Sequence, residues 1–147
     1  MCYPDLLIRG IPSKDCLDPD GLLPSTQLFQ FNKPESARLP GYREESINWY
    51  DDEGAITHTF NQTKEDGITI HFKVGIAILC RSELDRIRNN PNVRQQFGYE
   101  RHPLTGNAYH GNMLLKMDTP KHLVRKIAAQ LALNVTEIIK REDYEGQ

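Results

Sequence analysis

The longest apolar run of the chain, from Ile76 to Cys80, has only five residues. A helix that crosses a membrane needs about 20 such residues, so the sequence predicts no membrane span. A strand with one exposed face alternates apolar and polar side chains, whereas a continuous apolar run is typical of a strand buried on both faces. The run therefore predicts a strand near the centre of a sheet, between Ile76 and Leu79, with other elements packed on it.

The segment that follows Thr119 and Pro120 has the clearest helical pattern. Threonine is a common N-cap, and proline fits the first position of a helix. Apolar side chains recur at intervals of three and four residues, which places them on one helical face: Leu123, Val124, Ile127, Ala128, Leu131 and Ala132. The pattern predicts a helix over 120–133 that packs on the sheet through this face.

The remaining patterns predict an α+β fold, with a mostly antiparallel, meandering sheet, one long C-terminal helix and one shorter helix packed on it. A chain of 147 residues fits a single domain, here 1–147. Strands are expected at 6–11, 27–31, 46–50, 55–62, in a long segment that ends at Cys80, at 98–102 and at 108–116. Residues 135–140 fit a last strand or a further helical turn, and their β-branched side chains favour the strand. Ser82 and Asp85 resemble a capping box for the shorter helix, residues 32–45 are expected to form a loop, and 142–147 a frayed tail.

His58 and His71 lie on the two strands expected to form the second hairpin. One register places the two imidazoles opposite each other, as metal ligands would be, but it sets apolar side chains of one strand against polar side chains of the other. A shift by one residue restores a clean alternation and places the histidines on opposite faces. We therefore predict no metal site, and we expect no cofactor.

Titratable side chains are concentrated on the predicted hairpin from Tyr99 to Asn112. A carboxylate beside an imidazole can tune a general base near neutral pH. Glu100, His102 and His110 are therefore the catalytic candidates. The alternative is that these residues are polar because hairpin loops are solvated, and we favour that alternative.

Charge is distributed unevenly along the chain. Residues 35–66 carry eight acidic and three basic side chains, and residues 67–126 carry four acidic and ten basic ones. Guanidinium groups hold phosphates in bidentate fashion, so we predict anion binding by Arg81, Arg88 and Arg101. A solvated charged surface explains the same pattern.

The three cysteines, Cys2, Cys16 and Cys80, have no CxxC spacing, which predicts free thiols and a reducing, cytoplasmic compartment. The first residues lack the basic and apolar segments of a secretory signal, and we expect none.

The sequence contains no Walker loop, GxGxxG, HExxH, GxSxG or paired-cysteine zinc motif. Three functions stay open. We favour a non-catalytic interaction module, or complex subunit, that binds a macromolecular partner, most of all a protein, through its segregated charge. The alternatives are a small enzyme or nucleotide-binding protein that uses the 99–112 hairpin and Arg9, and nucleic-acid binding by the basic half, 67–126.

Overall fold

The computed structural model describes residues 3–31, 40–93 and 95–145, and within them it has six β-strands and four α-helices. The strands are β1 (Leu6–Ile11), β2 (Tyr42–Trp49), β3 (Gly75–Cys80), β4 (Phe97–Arg101), β5 (His110–Lys116) and β6 (Val135–Lys140). The helices are α1 (Gly54–Asn61), α2 (Arg81–Arg88), α3 (Lys121–Leu133) and α4 (Arg141–Glu145). The strands form one antiparallel sheet in the order β4-β5-β2-β1-β3-β6, so the fold is α+β as predicted.

Helices α2 and α3 contribute to the main core, which lies on one face of the sheet. Leu123, Ile127 and Leu131 are buried there, as the helical pattern predicts, and they share this core with Leu7 of β1 and Trp49 of β2. Because successive side chains of a strand point to opposite faces, the strand residues between these core residues point to the other face of the sheet.

Helices α1 and α4 pack on that opposite face, against β1 and β3. A second, smaller core forms there from Ile8, Ala55, Phe60 and Ile76, and the ring of Phe60 stacks on Tyr144 at 3.9 Å between centroids. The strands β2, β5 and β4 carry polar side chains on the same face, where Ser46 lies opposite Asn112, Asn48 opposite His110, and Glu100 opposite Asn112. This face is therefore apolar on one half and polar on the other.

Strand β3 is second from the edge of the sheet, so the prediction that Ile76–Leu79 marks its centre is wrong in position. The four residues are buried as expected. Elements on both faces contact β3, with α2 on one side and α1 and α4 on the other. Burial on both faces thus comes from helix packing, and the central strands are β2 and β1.

The predicted strand at 55–62 is instead helix α1. Ile56, His58 and Phe60 alternate with threonines, which satisfies the period of a strand. Isoleucine and threonine are also β-branched, and β-branched residues favour strands. In the structure Ala55, Thr59 and Phe60 are the buried residues, a helical spacing that faces the sheet. The second hairpin is therefore reduced to an isolated antiparallel bridge between Thr63 and Ile70, and the chain reaches β3 only at Gly75.

Other boundaries also differ from the predictions. Residues 26–28 form a 3-10 turn rather than a strand, β2 begins at Tyr42 inside the predicted loop, and 141–145 form α4 rather than a frayed tail. Residues 32–39, 146 and 147 lie outside the described residues. The capping box is not formed, because Cys80 is the N-cap of α2 and Asp85 accepts a hydrogen bond from Tyr99. Strands β4, β5 and β6 lie close to their predicted positions.

Candidate functional site

A cavity of about 750 Å³ lies on the polar half of the sheet, between α1, the 104–107 loop and the strands β2 and β5. Its origin is a fork between two central strands. Strands β1 and β2 pair only at Leu7 with Trp49 and at Ile8 with Asn48, whereas β1 stays paired with β3 as far as Ile11. Where β1 leaves β2, backbone groups lose their ladder partners and a recess opens between the strands.

Arg9 fills the deeper part of this fork. Its Nε donates to the carbonyl oxygen of Leu28 and its Nη1 to that of Ser46, both at 3.1 Å. Its Nη2 forms an ion pair with Glu45, which also accepts from the backbone N–H of Phe31 at 2.8 Å. The guanidinium thus satisfies backbone oxygens and is neutralised by a carboxylate.

A buried amide network holds the walls of the cavity together. Asn48 of β2 donates to Thr59 Oγ1 of α1 at 2.8 Å and to Gln62 Oε1 at 3.5 Å. Its own Oδ1 accepts from Asn107 Nδ2 at 2.9 Å, which ties the 104–107 loop to β2. One side chain therefore connects three elements that surround the cavity.

Of the catalytic candidates, His110 lines the cavity together with Arg9. Its Nδ1 is 2.8 Å from the backbone oxygen of His102, and its Nε2 is 3.4 Å from Ser46 Oγ. The His102 ring lies 5.4 Å from that of His110, and Glu100 accepts from Asn112 Nδ2 at 3.4 Å, but neither side chain lines the cavity. The structure brings only one of the three candidates into the cavity.

His58 and His71 line the same cavity, so the prediction that they lie on opposite faces is wrong. The reason is that His58 lies on a helix that closes over the cavity and not on a strand paired with the segment of His71. Within the described residues, His58 Nε2 and His71 Nδ1 are buried with no hydrogen-bond partner. No group of three His, Cys, Asp or Glu side chains there is arranged to hold a metal ion.

The pKa of His71 is lowered from its usual value of 6.5, chiefly by burial and then by the charges of Arg9 and Lys64. The unfolded chain therefore binds a proton at this position more readily than the folded one. We expect the free energy of unfolding to fall as the pH drops below 6.5, while above 6.5 this group has no effect. Thermal unfolding of the protein and of a His71→Gln variant, between about pH 5 and pH 7.5, should show a weaker pH dependence in the variant. Identical pH profiles would contradict this assignment.

The three arginines predicted to bind anions lie near one another at the other face of the sheet. Asp85 lies 3.5 Å from Arg81 and 3.2 Å from Arg88, and Asp51 pairs with Arg101 at 2.6 Å. The three arginines border an aromatic cluster made of Tyr3, Trp49 and Tyr99. Arg88 lies over the Tyr99 ring and Arg101 over the other two. An anion there competes with a carboxylate at every guanidinium, and anion binding by these residues stays a prediction.

Fold and site together define a small α+β protein with a polar, ligand-sized cavity at a fork in its sheet. No family model matches the chain, and neither curated proteins nor solved structures give a match. In the described residues no helix has the length and apolar character to cross a membrane, and Cys16 and Cys80 are free thiols.

Proposed function

We propose that this protein binds a small, uncharged molecule, rich in hydrogen-bonding groups, in the cavity at the β1–β2 fork. The observation that carries the proposal is the convergence of His58, His71 and His110, which come from three separate parts of the chain, on one concave volume. Small-molecule sites have cavities of about 300–1,000 Å³ with a few convergent polar groups. The size and lining of this cavity support small-molecule binding, a narrower proposal than the small enzyme or nucleotide-binding protein that the sequence left open as an alternative.

The charges in the cavity support an uncharged ligand rather than a phosphate. Among the described residues, Arg9 is the only guanidinium that lines the cavity, and Glu45 already neutralises it. Glu44 adds a carboxylate whose Oε1 is buried with no partner in the same part of the chain. A neutral His71 adds no positive charge, because its pKa is lowered. Molecules that offer both N–H donors and carbonyl acceptors match this lining.

The histidines provide a direct test, because the protein has five of them and only three line the cavity. Neutral fragments that contain amide, urea or lactam groups are titrated into the protein, and the imidazole Cε1–H resonances are followed by NMR. We expect the resonances of His58, His71 and His110 to shift together. The resonance of His122, an exposed residue of α3, should not move.

Inorganic phosphate is the control probe for an anionic ligand. Near pH 7.5 it should leave the resonances of the three cavity histidines unchanged. A His110→Gln variant should lose fragment affinity, while a His122→Gln variant should keep it. Larger shifts with phosphate than with neutral fragments, or fragment shifts confined to His122, would overturn the proposal.

A protein partner, and a cytoplasmic location, remain separate proposals. They are supported by the segregated charge of 35–66 and 67–126 and by the free thiols, respectively. Nucleic-acid binding by the basic half is less favoured, because Arg81, Arg88 and Arg101 already have carboxylate partners.

A further inference from the structure

Ser46 and His110 face the same cavity from neighbouring strands. Ser46 lies on β2 and His110 on β5, two positions apart in the register of the pair, and both side chains lie on the polar half of the sheet. The distance from Ser46 Oγ to His110 Nε2 is 3.4 Å. A hydroxyl and an imidazole at hydrogen-bond distance are the first requirement for an activated nucleophile.

The hydrogen bond on the far side of the imidazole sets its tautomer. A backbone carbonyl oxygen can only accept, so His110 Nδ1, 2.8 Å from the oxygen of His102, carries the proton. In the neutral ring Nε2 then accepts a hydrogen bond from the hydroxyl of Ser46. The carbonyl of His102 thus fixes the tautomer and the orientation of the His110 ring, the role that the carboxylate has in a Ser-His-Asp triad.

A small recess beside this pair has room for one oxygen atom. Its volume is about 20 Å³, and Ser46, His110 and Gln62 all border it. A recess of about 10–15 Å³ already accommodates one water molecule. Gln62 Oε1 accepts from Asn48, and the Gln62 amide NH₂ has no acceptor in the part of the chain that the structure describes. Because Gln62 borders the recess, we assign its NH₂ group as the donor to an oxygen placed there.

We propose that Ser46 is a nucleophile, that His110 is its general base, and that the substrate is an uncharged carboxylic ester. This inference rests on the proposed function of the cavity and adds a reaction to it. A phosphoester is disfavoured because the described lining holds two carboxylates, Glu44 and Glu45, against one guanidinium, Arg9. An ester carbonyl needs only a neutral donor for its oxygen, which Gln62 provides.

In the first step Ser46 Oγ forms a bond to the carbonyl carbon and its proton passes to His110 Nε2. The carbonyl oxygen gains the negative charge and is held by the amide of Gln62. When the carbonyl reforms, the bond to the alcohol oxygen breaks and His110 returns the proton to that oxygen. Water then attacks the acyl-serine with His110 as base again, which releases the acid and restores Ser46.

The test uses the full chain and a fluorophosphonate probe, an uncharged electrophile that forms a covalent bond to activated serines with loss of fluoride. We expect one modified residue, Ser46, identified by peptide mass spectrometry. Ser46→Ala should abolish the modification and His110→Gln should slow it by about 100-fold or more, the usual contribution of a general base. Ser82→Ala, on the distant helix α2, is the matched control and should be labelled at the parent rate.

Hydrolysis of p-nitrophenyl acetate gives the second measurement. Gln62→Leu should reduce the rate by about 100-fold, as the loss of one donor to an oxyanion does elsewhere. An unlabelled parent protein, labelling spread over several serines, or equal rates for parent and His110→Gln would overturn the assignment. Fragment binding detected at the three cavity histidines, with no labelling of Ser46, would reject the reaction and leave the binding function standing.

Discussion

Replacing Ile127 with Ala is expected to lower the free energy of unfolding by about 2–5 kcal/mol, the usual cost of removing a fully buried aliphatic side chain. Ile127 is 0% exposed and belongs to the main core, where α3 covers the sheet. The truncation leaves a cavity that close-packed neighbours fill only in part. Urea denaturation followed by circular dichroism measures the loss.

Leu133→Ala is the matched control on the same helix. Leu133 is 83% exposed, so its truncation removes little buried surface, and a change within about 0.5 kcal/mol is expected. Equal losses for the two variants would mean that the apolar face of α3 does not pack on the sheet, which would contradict this fold.

Helix α3 could be predicted from the sequence because its pattern has one interpretation. Six apolar residues at helical spacing over 13 positions do not fit a strand. The first strand is a similar case, since Leu6–Ile11 is closed by Pro12. Val135–Lys140 also fits a helical turn, and its β-branched residues favour the strand that forms.

Helix α1 could not be predicted, because its eight residues fit both periods. A strand pattern needs alternate residues, and Ile56, His58 and Phe60 provide them. The packing of Phe60 against Tyr144 and Ile8 decides in favour of a helix, and both contacts come from distant parts of the chain. Tertiary packing therefore overrides local propensity here.

The candidate site also has parts that one segment of sequence predicts and parts that depend on contacts between distant segments. The hairpin and Arg9 were indicated by the sequence, because titratable side chains around a turn are visible locally. The approach of His58 and His71 was not, since it depends on α1 closing over a fork between strands. One local signal does mark that fork, because an isolated glycine in a strand often indicates close approach of other atoms. A Cβ on Gly10 would lie 2.2 Å from the ring of Phe72, so this glycine lets Phe72 enter the fork.

The second large effect is expected for Asn48→Ala, at the centre of the amide network. Asn48 is 4% exposed, and its loss leaves the Nδ2 group of the buried Asn107 without its acceptor at 2.9 Å. It also removes the donor to Thr59 Oγ1 of α1. A buried polar group without a partner costs about 1–3 kcal/mol, so a total loss of about 2–4 kcal/mol is expected in urea denaturation.

The position of Asn48 predicts a local effect beyond this loss of stability. Because its amide ties β2 to both α1 and the 104–107 loop, hydrogen exchange should rise first in these two walls of the cavity and not in α3. Asn61→Ala is the matched control, since Asn61 also lines the cavity but is exposed at the end of α1. It should leave both stability and exchange close to those of the parent. Asn48→Ala with unchanged exchange in 104–107 would mean that this loop is held by other contacts, and the amide network would then not define the shape of the cavity.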